Sequence, residues 1–189
     1  MTDKELDESL LEGKQLISEI EKLLADAKKA IANAQFALDV CNGVAEDESK
    51  VFKWFHEGAE QGDAGAQFNL GVCYAEGKGV VKDEAEAVKW WRKAAEQGDA
   101  EAQFNLGVYY HEGNGVVKNE AEAVKWYHKA AGQGCVPAQF TLGVCYENGK
   151  GVVKDEIEAA KWYRKAADQG NKEAKEQLQR VGALTKREP

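Results

Sequence analysis

A 36-residue segment occurs three times in tandem in this 189-residue chain. The first copy begins at Ala64 and reads AGAQFNLGVCYAEGKGVVKDEAEAVKWWRKAAEQGD, and close copies begin at Ala100 and Val136. A unit this short buries too little apolar surface to be stable alone, so neighbouring copies must stack on one another. The repetition therefore predicts three stacked repeats over residues 64–171.

Each copy encodes two helices separated by a glycine-rich turn. Ala66, Leu70 and Tyr74 recur at a spacing of four residues, which places them on one stripe of a first helix. After the turn, Asp83 can cap a second helix, and Glu86 is placed to complete a capping box. The second helix alternates small and large residues on one face, which predicts close packing around bulky rings. This face consists of Ala87, Trp90, Trp91, Ala94 and Ala95.

The middle copy carries a dense pattern of small, aromatic and glycine residues. These are Ala102, Leu106, Gly107, Tyr110, Gly113, Gly115, Val116, Ala123, Trp126, Tyr127, Ala130, Ala131 and Gly134. In this order they resemble the Sel-one-like repeat (SLR) family, a relative of the tetratricopeptide repeat. The resemblance implies an all-α fold in which antiparallel helix pairs stack into a right-handed superhelical solenoid. It also implies that the protein acts as an adaptor or scaffold.

Degenerate copies flank the three clear repeats. Shifting the alignment by one repeat places Trp54 on Trp90, which predicts a degenerate first repeat at 30–63. Beyond the last clear copy, Ala174 keeps an apolar core position, while the residues around it are more polar. Residues 172–189 are therefore predicted to form a capping helix and a frayed tail, because a solenoid must shield its last apolar face.

Residues 1–29 are predicted to form an amphipathic helix ahead of the repeats. Apolar residues recur at alternating spacings of four and three, as in a helix that packs along another helix. This heptad seam is Leu6, Leu10, Gly13, Ile17, Ile20, Leu24, Ala27, Ile31, Ala34, Leu38 and Cys41. Leu16 and Leu23 widen the stripe, which favours docking on the chain's own solenoid. Pairing with another chain, which would make a homo-oligomer, is the alternative.

The charge and the amino-terminal sequence restrict the partners and the location. A formal charge of -8 at pH 7 argues against nucleic acid or an anionic membrane as the partner. The sequence has no run of apolar residues long enough to span a membrane. Its start, MTDKELDESL, carries carboxylates where a secretory signal would carry positive charge. With four cysteines that do not form a disulfide framework, the sequence predicts a cytoplasmic protein.

No residue pattern points to a catalytic centre, a metal site or a cofactor. The histidines, His56, His111 and His128, lack partners at the spacings of a zinc motif. His56 and His128 take the place of Arg92 and Arg164, which predicts solvated side chains on the second helices. The carboxylates that recur at the start of each second helix are expected to be helix caps. The glycines of GKGVVK follow a helix instead of a strand, which argues against a phosphate loop.

An enzyme that acts on β-lactams is a remote alternative. Some cysteine-rich members of the family that the repeats resemble have been linked to β-lactam binding and hydrolysis. This chain lacks their pattern of one bridge per repeat, and Cys73 and Cys145 occupy a position that is Tyr109 in the middle copy. These cysteines are therefore expected to be packing residues and not nucleophiles, and the chain is not expected to be an enzyme.

The predicted binding face lies on the first helices, opposite the stripe that contains Leu70. At about 100° per residue, an apolar ladder with a variable polar border falls on this side. Its members are Phe68, Val72, Ala75, Glu76, Phe104, Val108, His111, Glu112, Phe140, Val144, Glu147 and Asn148. In tetratricopeptide-like solenoids the first helices form the concave wall, so this set is expected to bind an extended or helical peptide. Alternatively, the three phenylalanines fill the gaps between successive first helices.

These observations favour one function over two others. The leading hypothesis is an adaptor or scaffold that binds a protein or peptide along the concave face of the solenoid. The alternative is a structural oligomerisation unit that acts through its amino-terminal helix. A β-lactam-interacting enzyme is the third and most remote hypothesis.

Overall fold

The computed structural model describes residues 14–27 and 47–184, which belong to two separate units. In the first unit, residues 14–27 are helical and form α1. Its large apolar side chains are exposed, namely Leu16, Ile17, Ile20, Leu23 and Leu24. The other large apolar positions of the predicted seam lie outside the described residues. The predicted first helix of the degenerate repeat, residues 30–41, lies outside them as well.

Eight helices of 13 residues each make up the described part of the second unit, residues 48–184. They are α2 (Glu48–Glu60), α3 (Ala64–Glu76), α4 (Glu84–Glu96), α5 (Ala100–Glu112), α6 (Glu120–Gly132), α7 (Val136–Asn148), α8 (Glu156–Asp168) and α9 (Lys172–Leu184). Across the described ranges no residue forms a β-strand. The predicted all-α repeat solenoid is therefore confirmed, with one first helix and one second helix in each 36-residue copy.

The two helices of a copy run antiparallel. In the second half of α4, the indole N–H of Trp91 donates to the carbonyl of Phe68 in the first half of α3, at 3.0 Å. Just before α4, the backbone N–H of Asp83 donates to the carbonyl of Tyr74 near the end of α3, at 2.8 Å. Within the second unit, each helix packs mainly on the helices that precede and follow it. The helix pairs therefore form a stack whose contacts are between neighbours.

A glycine in each first helix lets an aromatic ring of the second helix lie directly on its backbone. A Cβ atom at Gly107 would lie 2.3 Å from Cε1 of Tyr127, closer than real Cβ atoms approach any atom. Gly71 and Gly143 have the same contact with the equivalent rings of their own copies. A glycine at this position is therefore required for the two helices of a copy to pack so closely.

The turn between the two helices of a copy contacts the preceding copy. Gly115 has a φ of +63°, and a Cβ atom there would lie 2.4 Å from the carbonyl oxygen of Glu84, at the start of α4. Gly79 and Gly151 make the equivalent close contacts with the starts of α2 and α6, the second helices of their preceding copies. Only a residue without a side chain fits both this backbone conformation and this spacing. The second glycine of the turn therefore sets how closely consecutive copies stack.

The second helices begin with a cap that is simpler than the predicted capping box. The carboxylate of Asp83 accepts hydrogen bonds from the N–H groups of Ala85 and Glu86, both at 3.0 Å. The carboxylate of Glu86 pairs with Lys89 and does not bond back to Asp83. Because the N–H of Asp83 already donates to the carbonyl of Tyr74, no donor is left for Glu86. The cap by Asp83 is confirmed, and the return bond from Glu86 is wrong.

The first tryptophan of each second helix fills the space between copies. Trp126 is only 5% exposed and packs against Ala95 of the preceding copy and Leu106 of its own copy. Trp90 and Trp162 are also buried, in the equivalent clusters on either side. The prediction that these rings form the core is confirmed. Each of these junctions between copies therefore buries one large aromatic ring.

A buried glutamine in each first helix joins three helices, and the sequence analysis missed it. Gln103 is 4% exposed, and its Nε2 donates to the carbonyl of Ala95, at the end of the preceding second helix, at 3.0 Å. Its Oε1 accepts from Nε2 of Gln133, at the end of its own second helix, at 2.9 Å. Gln67 and Gln139 make the same pair of bonds in their copies. The free-energy cost of burying this amide is offset because both its nitrogen and its oxygen are hydrogen-bonded.

The last helix, α9, covers the end of the stack with few buried residues. Ala174 is fully buried against the cluster that includes Tyr163, and Leu178 is half-buried beside it. The amide oxygen of Asn171 caps the helix by accepting from the N–H of Ala174, at 2.7 Å. Residues 185–189, the predicted tail, lie outside the described residues.

Candidate functional site

The three phenylalanines of the predicted binding face are half-buried on α3, α5 and α7. The ring of Phe104 lies 5.8 Å from the ring of Tyr127, and the ring of Phe140 lies 5.7 Å from that of Tyr163. Phe68 packs against the cluster that contains Trp91. Part of each ring therefore fills the space between helices, and the remainder is accessible to a ligand.

The smaller apolar members of the predicted face extend this surface along the first helices. Val72, Val108 and Val144 are half-buried against the same clusters as the phenylalanines. Ala75 is half-buried too, at the end of α3. These residues form a repeated apolar surface, with the same side chain at most positions of every copy.

Three polar members of the predicted face are exposed. Glu76 pairs with Lys78 at 2.5 Å, and Glu112 accepts a hydrogen bond from Asn114 at 2.6 Å. Asn148 stands at the equivalent position in the third copy. The border of the apolar surface thus changes chemistry from copy to copy.

Two other polar members are held by contacts inside the protein. Nδ1 of His111 lies 2.5 Å from the carboxylate of Glu120. Burial tends to raise the pKa of Glu120, but the hydrogen bonds from His111 and Lys118 outweigh it and hold that pKa below its usual value. The carboxylate of Glu147 accepts from the hydroxyl of Tyr163 at 2.7 Å and pairs with Arg180. Glu147 therefore links α7 to α8 and α9.

A groove of about 540 Å³ lies where α3 and α5 meet the turn that leads into α7. Of the predicted face, it contains only Phe68 and Phe104. Among its other lining residues, the sequence analysis missed Glu101, Cys135, Val136 and Pro137. They lie at or just before the starts of first helices, whereas the prediction followed the middle and the end of each helix. The sequence signal that could have identified this turn is that its residues, Cys135, Val136 and Pro137, differ from those at the equivalent turns of the other copies.

That turn differs from its equivalents in how it caps the following helix. Asp63, Asp99 and Asn171 each accept a hydrogen bond from the backbone N–H three residues later, at 2.6, 2.7 and 2.7 Å. Cys135 stands at the same position and makes no side-chain cap. Pro137 follows in the first turn of the helix, where its missing N–H costs nothing. The turn has lost a cap and gained apolar surface along the groove.

A family model described as the Sel1 repeat matches residues 32–63, 64–99, 100–135 and 136–171. The chain belongs to the Sel1 repeat family. The last three matches coincide with the three copies read from the sequence, and the family resemblance inferred there is confirmed.

Solved structures of Sel1 repeat proteins are similar to this chain. The crystal structure of c5321, a protective antigen present in uropathogenic Escherichia coli strains, has 43% identity over 83% of this chain, with a TM-score of 0.76. The match covers 34% of that protein, so the chain spans about a third of its length. A Sel1 repeat protein from Oxalobacter formigenes has 46% identity over 66% of this chain and 94% of its own, with a TM-score of 0.62. Cysteine rich protein B of Helicobacter pylori has 26% identity over 68% of this chain and 92% of its own, with a TM-score of 0.55. A search of curated proteins finds no match.

The thiols of the Sel1 repeats lie in environments that disfavour the thiolate. Burial raises the pKa of Cys145 to about 11, and it raises the pKa values of Cys73 and Cys135 as well. A nucleophilic cysteine needs the opposite shift. These three thiols are free, and Cys41 lies outside the described residues.

His128 is not the solvated side chain that the sequence analysis predicted. Its Nε2 lies 3.0 Å from the hydroxyl of Tyr146, and its ring lies 5.4 Å from the ring of Trp162. Burial lowers the pKa of His128. His56 also contacts an aromatic ring of the next Sel1 repeat, that of Trp90. The prediction failed because this position of a second helix faces the next repeat, and among the basic residues aligned there only Arg164 is exposed.

Over residues 14–27 and 47–184, no group of three or more His, Cys, Asp or Glu side chains is arranged to hold a metal ion. Within the same ranges, no helix combines the length and apolar character that a bilayer span requires.

Restoring the missing cap should stabilise the Sel1 repeat at 136–171, which begins with α7. Replacing Cys135 with asparagine, the kind of residue found at position 171, is expected to raise the free energy of unfolding by about 1 kcal/mol. The reverse control, Asp99→Ala, is expected to lower it by about the same amount. Urea unfolding followed by circular dichroism measures both changes. If the Cys135→Asn variant is no more stable than the parent, the absence of a side-chain cap at this turn does not reduce stability.

Proposed function

We propose that this chain is an adaptor that binds a protein or peptide along the face formed by its first helices. The Sel1 repeat family is commonly protein-binding, and this proposal assigns the binding to one face of this chain. The observation that carries it is the groove at Phe68 and Phe104, an accessible apolar cleft on the predicted face. A peptide that buries apolar side chains there would gain roughly 25 cal/mol for each Å² removed from water.

The proposed face combines a repeated apolar surface with a changing border. Glu76, Glu112 and Asn148 occupy equivalent positions, so that a partner would meet a different set of polar groups in each copy. A shared apolar surface supplies affinity, while polar groups at its border select the partner. This combination suits recognition of one extended or helical segment across several repeats.

Charge reversal at the border tests the proposal. The variant Glu76→Lys/Glu112→Lys should keep its stability to within about 0.5 kcal/mol per substitution, because both side chains are exposed. Its affinity for the native partner, identified by pull-down and measured by calorimetry, should fall at least about tenfold, which is about 1.4 kcal/mol. Glu147 is left unchanged, because its reversal would break its contact with Arg180.

The matched control places the same number of reversed charges on the second helices. Lys89 and Lys125 are exposed and pair only with Glu86 and Glu122 of their own helices. Lys89→Glu/Lys125→Glu should bind the partner as the parent does. If this control loses binding while Glu76→Lys/Glu112→Lys retains it, the partner binds the second helices and the proposal is wrong.

A second candidate function is oligomerisation through α1. The observation in its favour is that five large apolar side chains of this helix are between 54% and 68% exposed. An uncovered apolar stripe of this kind favours self-association. Sedimentation equilibrium of the parent and of Ile17→Glu/Leu24→Glu tests this function. A dimeric parent and a monomeric variant would support it, and a monomeric parent would reject it.

The remaining expectations are unchanged by the geometry of the site. The acidic charge still favours a protein or peptide over nucleic acid or a membrane as the partner. A cytoplasmic location and function without a cofactor remain predictions from the sequence.

A further inference from the structure

We propose that the groove where α3 and α5 meet the turn that leads into α7 binds a cationic amphipathic peptide segment. An apolar side chain of the segment would lie on Phe68 and Phe104 against Val136 and Pro137, and a neighbouring Lys or Arg would face Glu101. This inference rests on the proposed function, because the groove is part of the first-helix face. It adds the chemical class of the partner and the place where that partner is selected.

The size and lining of the groove suit side chains of a peptide. Its volume of about 540 Å³ falls within the range of roughly 300 to 1,000 Å³ that is typical of ligand sites. The rings of Phe68 and Phe104 lie on successive first helices, and Val136 and Pro137 also line the groove. Large apolar side chains anchored in such clefts commonly dominate peptide recognition.

Three of the lining residues, Cys135, Val136 and Pro137, differ from the residues at the equivalent positions of the other copies. Val136 and Pro137 stand where the first two copies have Ala64–Gly65 and Ala100–Glu101. Cys135 replaces a capping residue that the corresponding turns retain. A local sequence that loses stability without structural compensation is characteristic of a functional site. The loss of the cap and the gain of apolar lining occur at the same turn, which faces the groove.

The negative charge beside the groove favours a peptide that carries positive charge. Glu101 lines the groove, is exposed, and takes part in none of the ion pairs found over residues 47–184. Helices α3, α5 and α7 contain no lysine or arginine, whereas α4, α6 and α8 each carry several. A cationic side chain would therefore approach a carboxylate without a competing cation on the same helices. Such complementarity contributes mainly to specificity and to the rate of association.

Nuclear magnetic resonance titration of the full chain with two small probes tests the inference. The probes are the acetylated, amidated peptides Lys-Phe-Lys and Glu-Phe-Glu, added to millimolar concentration and followed through the backbone amides. The Lys-Phe-Lys probe should shift the amides of Phe68, Glu101, Phe104 and Val136, with a Kd at least about tenfold lower than that of Glu-Phe-Glu.

Three variants separate charge from shape. Glu101→Lys should abolish or invert the preference for Lys-Phe-Lys. Glu173→Lys changes the equivalent exposed position of α9 and should leave the preference intact. Val136→Ala/Pro137→Gly gives the turn the residues of the first copy without changing its charge, and it should weaken the binding of both probes. Circular dichroism verifies that each variant is folded.

The outcomes distinguish this inference from the proposed function. Equal binding of both probes in the groove, or an unchanged preference in Glu101→Lys, would overturn the charge selection and leave the first-helix face in place. Absence of any saturable shift would overturn the groove as a peptide site, and the proposed function would still stand or fall on Glu76→Lys/Glu112→Lys. Shifts confined to the second helices would overturn both.

Discussion

Replacing Trp126 with alanine is expected to lower the free energy of unfolding by about 3 to 5 kcal/mol. The ring is 5% exposed and fills the junction between the first two copies, so its removal leaves a cavity bordered by three helices. The substitution also removes the contact of the ring with the ammonium group of Lys129, 3.9 Å from its centroid. Urea unfolding followed by circular dichroism measures the change.

Val117→Ala is the matched control for this truncation. Val117 is 88% exposed in the same copy, so its loss should change stability by no more than about 0.5 kcal/mol. If Trp126→Ala is as stable as Val117→Ala, the ring is not buried at the junction and the assignment of the second-helix face is wrong.

The indole N–H of Trp126 adds a second, opposing contribution. It is buried and finds no hydrogen-bond partner among the described residues, and an unsatisfied buried donor costs about 1 to 3 kcal/mol. Trp126→Phe removes this donor and keeps an aromatic ring, so it should destabilise far less than Trp126→Ala. Trp91→Phe should cost more than Trp126→Phe, because the indole N–H of Trp91 donates to the carbonyl of Phe68.

Placing a methyl group on Gly115 is expected to destabilise the array by about 2 to 6 kcal/mol. A positive φ at alanine costs about 1 to 3 kcal/mol, and overpacking against the carbonyl of Glu84 costs about 1 to 3 kcal/mol more. The same unfolding measurement applies. Because the clash is with the backbone of the preceding copy, relief requires the two copies to move apart.

Gly98→Ala separates the two costs. Gly98 also has a positive φ, +99°, but a Cβ atom there would meet no other atom within 4 Å, so only the conformational cost applies. Gly115→Ala should therefore be the more destabilising of the two. Equal effects would mean that the turn does not set the spacing between copies.

Residues that repeat with the copies were predictable from the sequence, because position within a repeat fixes their surroundings. Trp126 and Gly107 are examples, since recurrence at one helix position identifies a core ring and a close helix contact. Gln103 was missed because its burial depends on partners from two other helices, which no local pattern shows. The bond predicted for Glu86 failed for a related reason, since the preceding helix satisfies the donor at Asp83 first.

The candidate site was less predictable than the fold. Phe68 and Phe104 follow from helical periodicity, and the structure places both in the groove. Val136 and Pro137 were missed because they break the repeat, whereas the sequence argument looked for what the copies share. His128 was wrongly predicted to be solvated, because a side chain at its position of a second helix is covered when another copy follows.

The hydrogen bonds of the buried glutamines make the junctions before α3, α5 and α7 interchangeable. Gln103 and Gln139 make equivalent hydrogen bonds. Each donates to a carbonyl at the end of the preceding second helix and accepts from the glutamine at the end of the second helix of its own copy. Splicing out residues 100–135 would bring Gln139 opposite Ala95, the partner that Gln103 now has. An array joined in this way can gain or lose whole 36-residue units while every new junction keeps the same contacts. Duplication of one unit is therefore sufficient to extend it.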